Sequence, residues 1–219
     1  MIVDERMAAY LNSFDGGNTQ LLNQIEAEAK TSFVPVIRKE MQSLLKLLLA
    51  IKRPAAILEV GTAVGFSSLF MEEYNPVECR IKTIENYEKR IIVAQENLKR
   101  AGKEHVIQLL KGDALLILEE LETPFDFVFM DAAKAQYIHF LPHVLRLLKP
   151  NGILVSDNVM QEGIVIESRF AVTRRNRTIH KRMREYLYEI THHNELTTSI
   201  LPIGDGAAIS VRNSVCTKD

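Results

Sequence analysis

From Pro54 onward, short apolar runs alternate with longer segments whose apolar residues recur every three or four positions. That alternation predicts parallel strands joined by helical crossovers. Strands are expected at 56–60, 81–85, 106–111, 125–130 and 152–156, with helices near 67–74, 88–101, 115–121 and 138–148. A further helix is expected over about 178–192. Two last apolar runs, 197–202 and 207–212, flank Gly204-Asp205-Gly206. That Asp-Gly turn reads as an antiparallel hairpin on the edge of the sheet. The run Phe125–Met130 is aromatic and apolar but for Asp126, which suits a strand buried on both faces. Before Pro54, helical spacing is weak over 4–11, and 15–18 is a turn. A helix follows over 19–30 with Thr19 as its N-cap, then a break at Val34-Pro35-Val36. The next helix, 37–50, carries one apolar stripe of Met41, Leu44, Leu45 and Leu48. These first helices lie outside the alternating pattern and are expected to form a lid or a dimer surface. The reading is an α/β fold: one domain with a helical cap at 1–52, a seven-stranded, mostly parallel core at 53–212 and a frayed tail at 213–219.

Length and composition agree with one domain. The chain has 219 residues, 47% of them hydrophobic, and a formal net charge of −1, so no global field advertises nucleic acid. The two cysteines, Cys79 and Cys216, are far apart, which excludes a disulfide framework or a CxxC site. A reducing, cytoplasmic setting is expected. The N-terminus lacks a basic segment leading into an apolar run, so no signal peptide is read there. The longest apolar stretch, 44–51, is broken by Lys46 and too short to cross a bilayer.

Candidate chemistry gathers at the ends of the predicted strands, where open α/β sheets hold ligands. The first strand runs into Glu59-Val60-Gly61-Thr62-Ala63-Val64-Gly65. Its glycines suit either a turn passing close under a cofactor or a tight strand–helix turn with two structural glycines. The G-x-G-x-x-G dinucleotide fingerprint is not met, which disfavours an NAD-dependent oxidoreductase. Glu85 ends the second strand, where an acid can accept both hydroxyls of a ribose or simply stand in solvent. Asp113, in Gly112-Asp113-Ala114, can meet an adenine edge or cap the next helix. The fourth strand stops at Asp131, with Lys134 and Tyr137 following at intervals of three, and the fifth stops at Asp157-Asn158. Two carboxylates and an amide oxygen are hard ligands that suit Mg²⁺ or another divalent cation. Near a metal and partly buried, Lys134 is expected to lose its proton and act as a general base. Read separately, Lys134 is a surface lysine and Asp157-Asn158 a loop turn; both pairs at adjacent strand ends favour a site.

Together Glu59–Ser67, Thr83-Ile84-Glu85, Gly112-Asp113-Ala114, Asp131–Tyr137, Asp157-Asn158 and Pro202–Gly206 resemble the metal-dependent O-methyltransferases, which include catechol and caffeoyl-CoA enzymes. The resemblance implies a Rossmann-like class I methyltransferase fold. It implies S-adenosylmethionine at Ile37, Glu59, Gly61, Ser67, Glu85, Asp113, Ala114 and Asp131. It implies metal at Asp131, Asp157 and Asn158, with Lys134 beside the acceptor oxygen, and a homodimer. Within the family the chain is most similar to bacterial enzymes that methylate 5-hydroxyuridine at the wobble position of tRNA. After Asn158, seven formal positive charges fall within sixteen residues: Arg169, Arg174, Arg175, Arg177, Lys181, Arg182 and Arg184. Such a run suits phosphate contacts with an anticodon loop, and Tyr186 and Tyr188 are candidates to stack a base. It also suits a solvated helix face paired with Glu185 and Glu189 or a second subunit. A 5-hydroxyl beside the C4 carbonyl of uracil offers two neighbouring oxygens, as a catechol does. Neither a membrane nor DNA is expected as a partner. A small catechol-like phenol as acceptor and a non-catalytic RNA-binding module remain as alternatives.

Overall fold

The computed structural model describes residues 4–214. Its strands are β1 (Ala56–Val60), β2 (Arg80–Glu85), β3 (Ile107–Lys111), β4 (Phe125–Met130), β5 (Leu148–Ser156), β6 (Leu196–Leu201) and β7 (Ala207–Arg212). They form one sheet in the order β3-β2-β1-β4-β5-β7-β6. The first five pair in parallel, and β7 is antiparallel to both β5 and β6. The expected edge hairpin is therefore present. β5 begins at Leu148 rather than at 152. Leu148 pairs with Phe125 across a register shift, so the Pro150-Asn151 signal marks an irregularity inside the strand rather than its start.

The helices are α1 (Glu5–Asn12), α2 (Gln20–Thr31), α3 (Lys39–Lys52), α4 (Phe66–Tyr74), α5 (Glu88–Arg100), α6 (Ala114–Glu120), α7 (Tyr137–Leu147) and α8 (Arg177–His192). The Asp4 carboxylate caps α1 by accepting the N–H groups of Arg6 and Met7. Thr19 is the N-cap residue of α2, as expected, although its hydroxyl makes no capping bond.

Two apolar layers sandwich the sheet, as a strand buried on both faces requires. On one face Phe127 and Phe129 of β4 pack with Ile57, Phe70, Ile25, Met41, Leu45 and Leu49. On the other, Val128 and Met130 pack with Leu118, Tyr137, Val144, Met183 and Tyr186. The lid expectation is thereby corrected for α2 and α3. Their stripes bury Leu22, Ile25, Leu45 and Leu49 almost completely against the sheet. Each such side chain contributes about 1.5–3 kcal/mol, too much to be released by a moving lid. The expected tail lies mostly outside the described residues, as does Cys216; Asn213 is still tied to Glu195 and Thr197. Cys79 is a buried free thiol.

Candidate active site

Strand order reverses between β1 and β4, the position where open sheets leave a crevice beyond their carboxyl ends. A cleft of about 810 Å³ opens there, within the range of small-molecule sites. Gly61 closes the β1 end with φ +104°, and a Cβ on it would strike the backbone carbonyl of Asp131. Only glycine lets the two strand ends approach so closely. Gly65, also left-handed, starts α4.

On the β1–β3 side, Glu85 is fixed by three backbone N–H groups, from Ala63 at 2.9 Å and from Asn86 and Tyr87 at 3.0 Å each. It lines the cleft together with Ile37, Gly61, Asp113 and Ala114. The capping reading of Asp113 holds, with one oxygen accepting the N–H groups of Leu115 and Leu116, and the residue also lines the cleft. Ser67 lines a small adjoining recess with Ile37, Gly61 and Asp131. Glu59 departs from expectation. It is fully buried and lines neither space. One carboxylate oxygen accepts from Ser68 and Thr83, tying β1 to α4 and β2. The other is buried without a hydrogen-bond partner among the described residues. Burial pushes its carboxyl up to about 7 against the pull of the hydroxyls of Ser67, Ser68 and Thr83.

On the β4–β5 side, Asp131, Lys134, Asp157 and Asn158 all line the cleft. Lys134 donates to Asp131 Oδ1 at 2.6 Å and to the Tyr137 hydroxyl at 3.0 Å. Burial alone lowers an amine, but Tyr137 and the Asp131 carboxylate outweigh it and hold Lys134 well above the usual lysine range. In this arrangement the two neighbours favour the ammonium form of Lys134; the expected general base requires a cation at Asp131 to oppose them. Tyr137 is also reassigned. It is completely buried, and its hydroxyl donates to the carbonyls of Met130 at 2.8 Å and Asp157 at 3.2 Å. It pins the ends of β4 and β5 together and does not line the cleft. Asp157 accepts the Asn158 N–H at 2.7 Å. Burial, then the charge of Asp131, raises its carboxyl far above the usual range. Asn158, left-handed at φ +55°, turns its amide toward Asp131 Oδ1 at 3.5 Å.

Residues that the sequence reading left out also line this side, notably Arg38, Gln161, Glu162 and Asp205. Asp205 was read only as a turn residue. The hairpin returns it to β5, where its Oδ1 accepts the Glu162 N–H at 2.6 Å and its charge bears on Asp157. Its place in the hairpin motif was the available signal; Gln161 and Glu162 carried none.

The basic segment does not act as one face. Arg182 bonds to the Ala135 carbonyl, Arg184 to that of Val165 and Arg177 to that of Val172. Lys181 pairs at 3.6 Å with Glu185, one of the alternatives for this run. Arg169, Arg174 and Arg175 are exposed, and none of the seven basic residues of this run lines the cleft itself. Tyr186 is buried against Ser156, so it cannot stack a base; Tyr188 is exposed but already stacked on His192.

The O-methyltransferase family model matches residues 13–213. The chain belongs to the O-methyltransferase family. It is 31% identical to a catechol O-methyltransferase of Mycobacterium tuberculosis, over 72% of this chain and 73% of that one. It is 38% identical to a catechol O-methyltransferase of Niastella koreensis over a shorter match, 56% of this chain and 58% of the relative. A Podospora anserina methyltransferase with S-adenosylhomocysteine bound shares the fold, with TM-score 0.86 over 96% of this chain and 95% of its own at 24% identity. The Rossmann-like O-methyltransferase fold expected from the strand-end motifs is therefore present.

The side chains of this O-methyltransferase also fit the two groups its family implies. An adenosine would find Glu85, Asp113 and Ala114 along one rim, with the glycine turn beneath. A divalent cation would find two crowded carboxylates whose mutual repulsion it offsets, plus the Asn158 amide, once that amide turns its oxygen inward. Among the described residues there is no cluster of three or more His, Cys, Asp or Glu suited to a metal. The set is thus two carboxylates and an amide, which suits a hard cation that keeps waters rather than a closed zinc site. No helix among the described residues is long and apolar enough to cross a membrane.

Proposed function

We propose that this O-methyltransferase carries the methyl group of S-adenosylmethionine to the 5-hydroxyl of 5-hydroxyuridine at the wobble position of tRNA, assisted by Mg²⁺ or a similar cation. The observation that carries the reading is one cleft with two unlike rims. The Glu85–Asp113 rim suits a nucleoside, and the Asp131–Asp157–Asn158 rim suits a pair of neighbouring acceptor oxygens. S-adenosylmethionine supplies an activated methyl on sulfur. A divalent cation at Asp131, Asp157 and Asn158 would lower the pKa of the hydroxyl to be methylated.

The chain's own residues do the rest. Glu85, anchored by three amides, would hold the ribose hydroxyls of the cofactor. Lys134, kept as an ammonium, favours the oxyanion form of the acceptor through its charge, and the hydroxyl proton leaves to solvent water. Tyr137 keeps the two strand ends in register, so that methyl and oxygen meet in near-attack geometry. Exposed Arg169, Arg174 and Arg175 lie on the segment that continues from the cleft lip at Gln161 and Glu162. Their charge favours an RNA acceptor over a small phenol. A base in an anticodon loop leaves its stack at low cost, as the cleft requires. The homodimer reading rests on exposed Tyr10 and Leu11 of α1, Phe14 just after it, and Leu47 and Ile51 of α3, apolar surface that a second copy would cover.

The test is incubation with labelled S-adenosylmethionine and tRNA that carries 5-hydroxyuridine. Label should enter the wobble nucleoside as 5-methoxyuridine. Charge reversal at Arg174 and Arg175 should sharply reduce transfer to tRNA and leave transfer to a catechol little changed. Transfer to the phenol alone would move the acceptor assignment to small phenols.

A further inference from the structure

Three side-chain oxygens among the described residues are buried without a hydrogen-bond partner: those of Glu59, Asn75 and Gln161. Of these residues only Gln161 lines the cleft. An amide oxygen left dry and unpaired is destabilising. Gln161 is also strained, with φ +49°, followed by Glu162 at +54° and Gly163 at +85°. Left-handed non-glycine residues in a row persist only where the surroundings impose them.

The surroundings here are the β6–β7 turn. The Val159 N–H donates to the Gly206 carbonyl and that of Met160 to the Asp205 carbonyl, both at 3.0 Å. The Asp205 carboxylate holds the Glu162 N–H, and a Cβ on Gly206 would strike Met160. The hairpin thus clamps residues 159–162 and fixes the Gln161 backbone at the cleft wall, three positions after Asn158.

We propose that Gln161 is the residue that recognises the acceptor ring as a uracil. This rests on the hydroxyuridine reading above. With the 5-hydroxyl and C4 carbonyl turned toward Asp131 and Asn158, the next ring atom is N3, which carries a hydrogen, and beyond it lies the C2 carbonyl. A carboxamide matches that edge: its oxygen accepts from N3–H and its nitrogen donates to a carbonyl. Rotation about the side-chain bonds brings the amide from its dry position onto the base, so the acceptor supplies the partner the oxygen lacks. A catechol presents only C–H groups there and leaves the amide unpaired. Sites built to pair with a polar substrate group discriminate strongly against analogues that lack it.

The experiment compares the wild-type protein with Gln161→Met, which keeps the bulk and removes the amide. Acceptors are an anticodon stem-loop RNA carrying 5-hydroxyuridine, the same RNA carrying N3-methyl-5-hydroxyuridine, and catechol. Wild type should prefer the first RNA over the N3-methyl RNA by at least tenfold in kcat/KM, and Gln161→Met should remove that preference. The ratio of RNA to catechol turnover should fall at least tenfold in the variant. With S-adenosylhomocysteine present, the variant should bind the first RNA about tenfold more weakly and bind the N3-methyl RNA as the wild type does. An unchanged melting temperature confirms that the fold is intact. A preference that survives in Gln161→Met, or an equal loss on all three acceptors, overturns the assignment to Gln161 alone. If wild type methylates catechol and neither RNA, the hydroxyuridine reading itself falls and this inference with it.

Discussion

The two rims of the cleft treat their acids in opposite ways. On the β1–β3 side Glu85 meets three backbone amides and Asp113 meets two, so each charge is already compensated before anything binds. On the β4–β5 side Asp131 and Asp157 push against each other, and one ammonium, Lys134, sits between burial and charge. The backbone differs in degree: Asn158, Gln161 and Glu162 are left-handed on this side, against the single non-glycine residue Ala63 beside the glycine turn on the other. Satisfied groups suit holding a ligand in one place. Crowded charge on a strained backbone suits a region that must stabilise a changing charge distribution. On the proposed function, one rim binds and the other reacts.

The most severe test of that division is Asp157→Ala. It should cut transfer about 10³-fold or more while the KM for S-adenosylmethionine changes little; steady-state kinetics on both substrates decides it. A loss shared equally between the two would erase the distinction between the rims. Lys134→Ala should lower kcat about 10²-fold, with Lys134→Arg retaining part of the rate because charge is what matters. In the pH–rate profile of the wild type, no limb near neutrality should disappear in Lys134→Arg. If one does, Lys134 is a base after all. Glu85→Gln should raise the KM for S-adenosylmethionine about tenfold and leave kcat nearly unchanged. A fall in kcat of the same size would place Glu85 among the reacting groups.

The smallest effect concerns Glu59, behind the binding rim. Its carboxyl is raised from 4.5 to about 7. Between those pH values the folded chain keeps a proton that the unfolded chain has released, so stability falls as pH rises through that window. Glu59→Gln should flatten this part of the melting-temperature profile between pH 4.5 and 7, though Asp157, raised by burial and by Asp131, adds a slope of the same sign. A wild-type profile that rises over that range would contradict the assignment.

The sheet was legible because strands buried on both faces leave long apolar runs, and Asp131, Asp157 and Asn158 were legible because they end such runs. Side-chain direction was not. Tyr137 follows Asp131 and Lys134 among the strand-end groups by its spacing, yet its phenol turns inward to bind two carbonyls. Tyr186 and the buried Glu59 misled for the same reason: residue type and position along the chain do not say which way a group faces. Asp205 and Gln161 were missed because only the docking of the β6–β7 turn onto residues 159–162 brings them to the cleft. That long-range contact leaves no periodic trace. The lid reading of α2 and α3 failed because an apolar stripe looks the same on a fixed helix and on a moving one.

The most direct measurement is methyl transfer to 5-hydroxyuridine tRNA in chelator, followed by stepwise return of Mg²⁺, for the wild type and Asp157→Ala. Transfer should vanish in chelator, return with Mg²⁺ in the wild type and stay absent in the variant. Chelator-resistant transfer, or full recovery in Asp157→Ala, would contradict a reacting rim built on Asp131, Asp157 and Asn158.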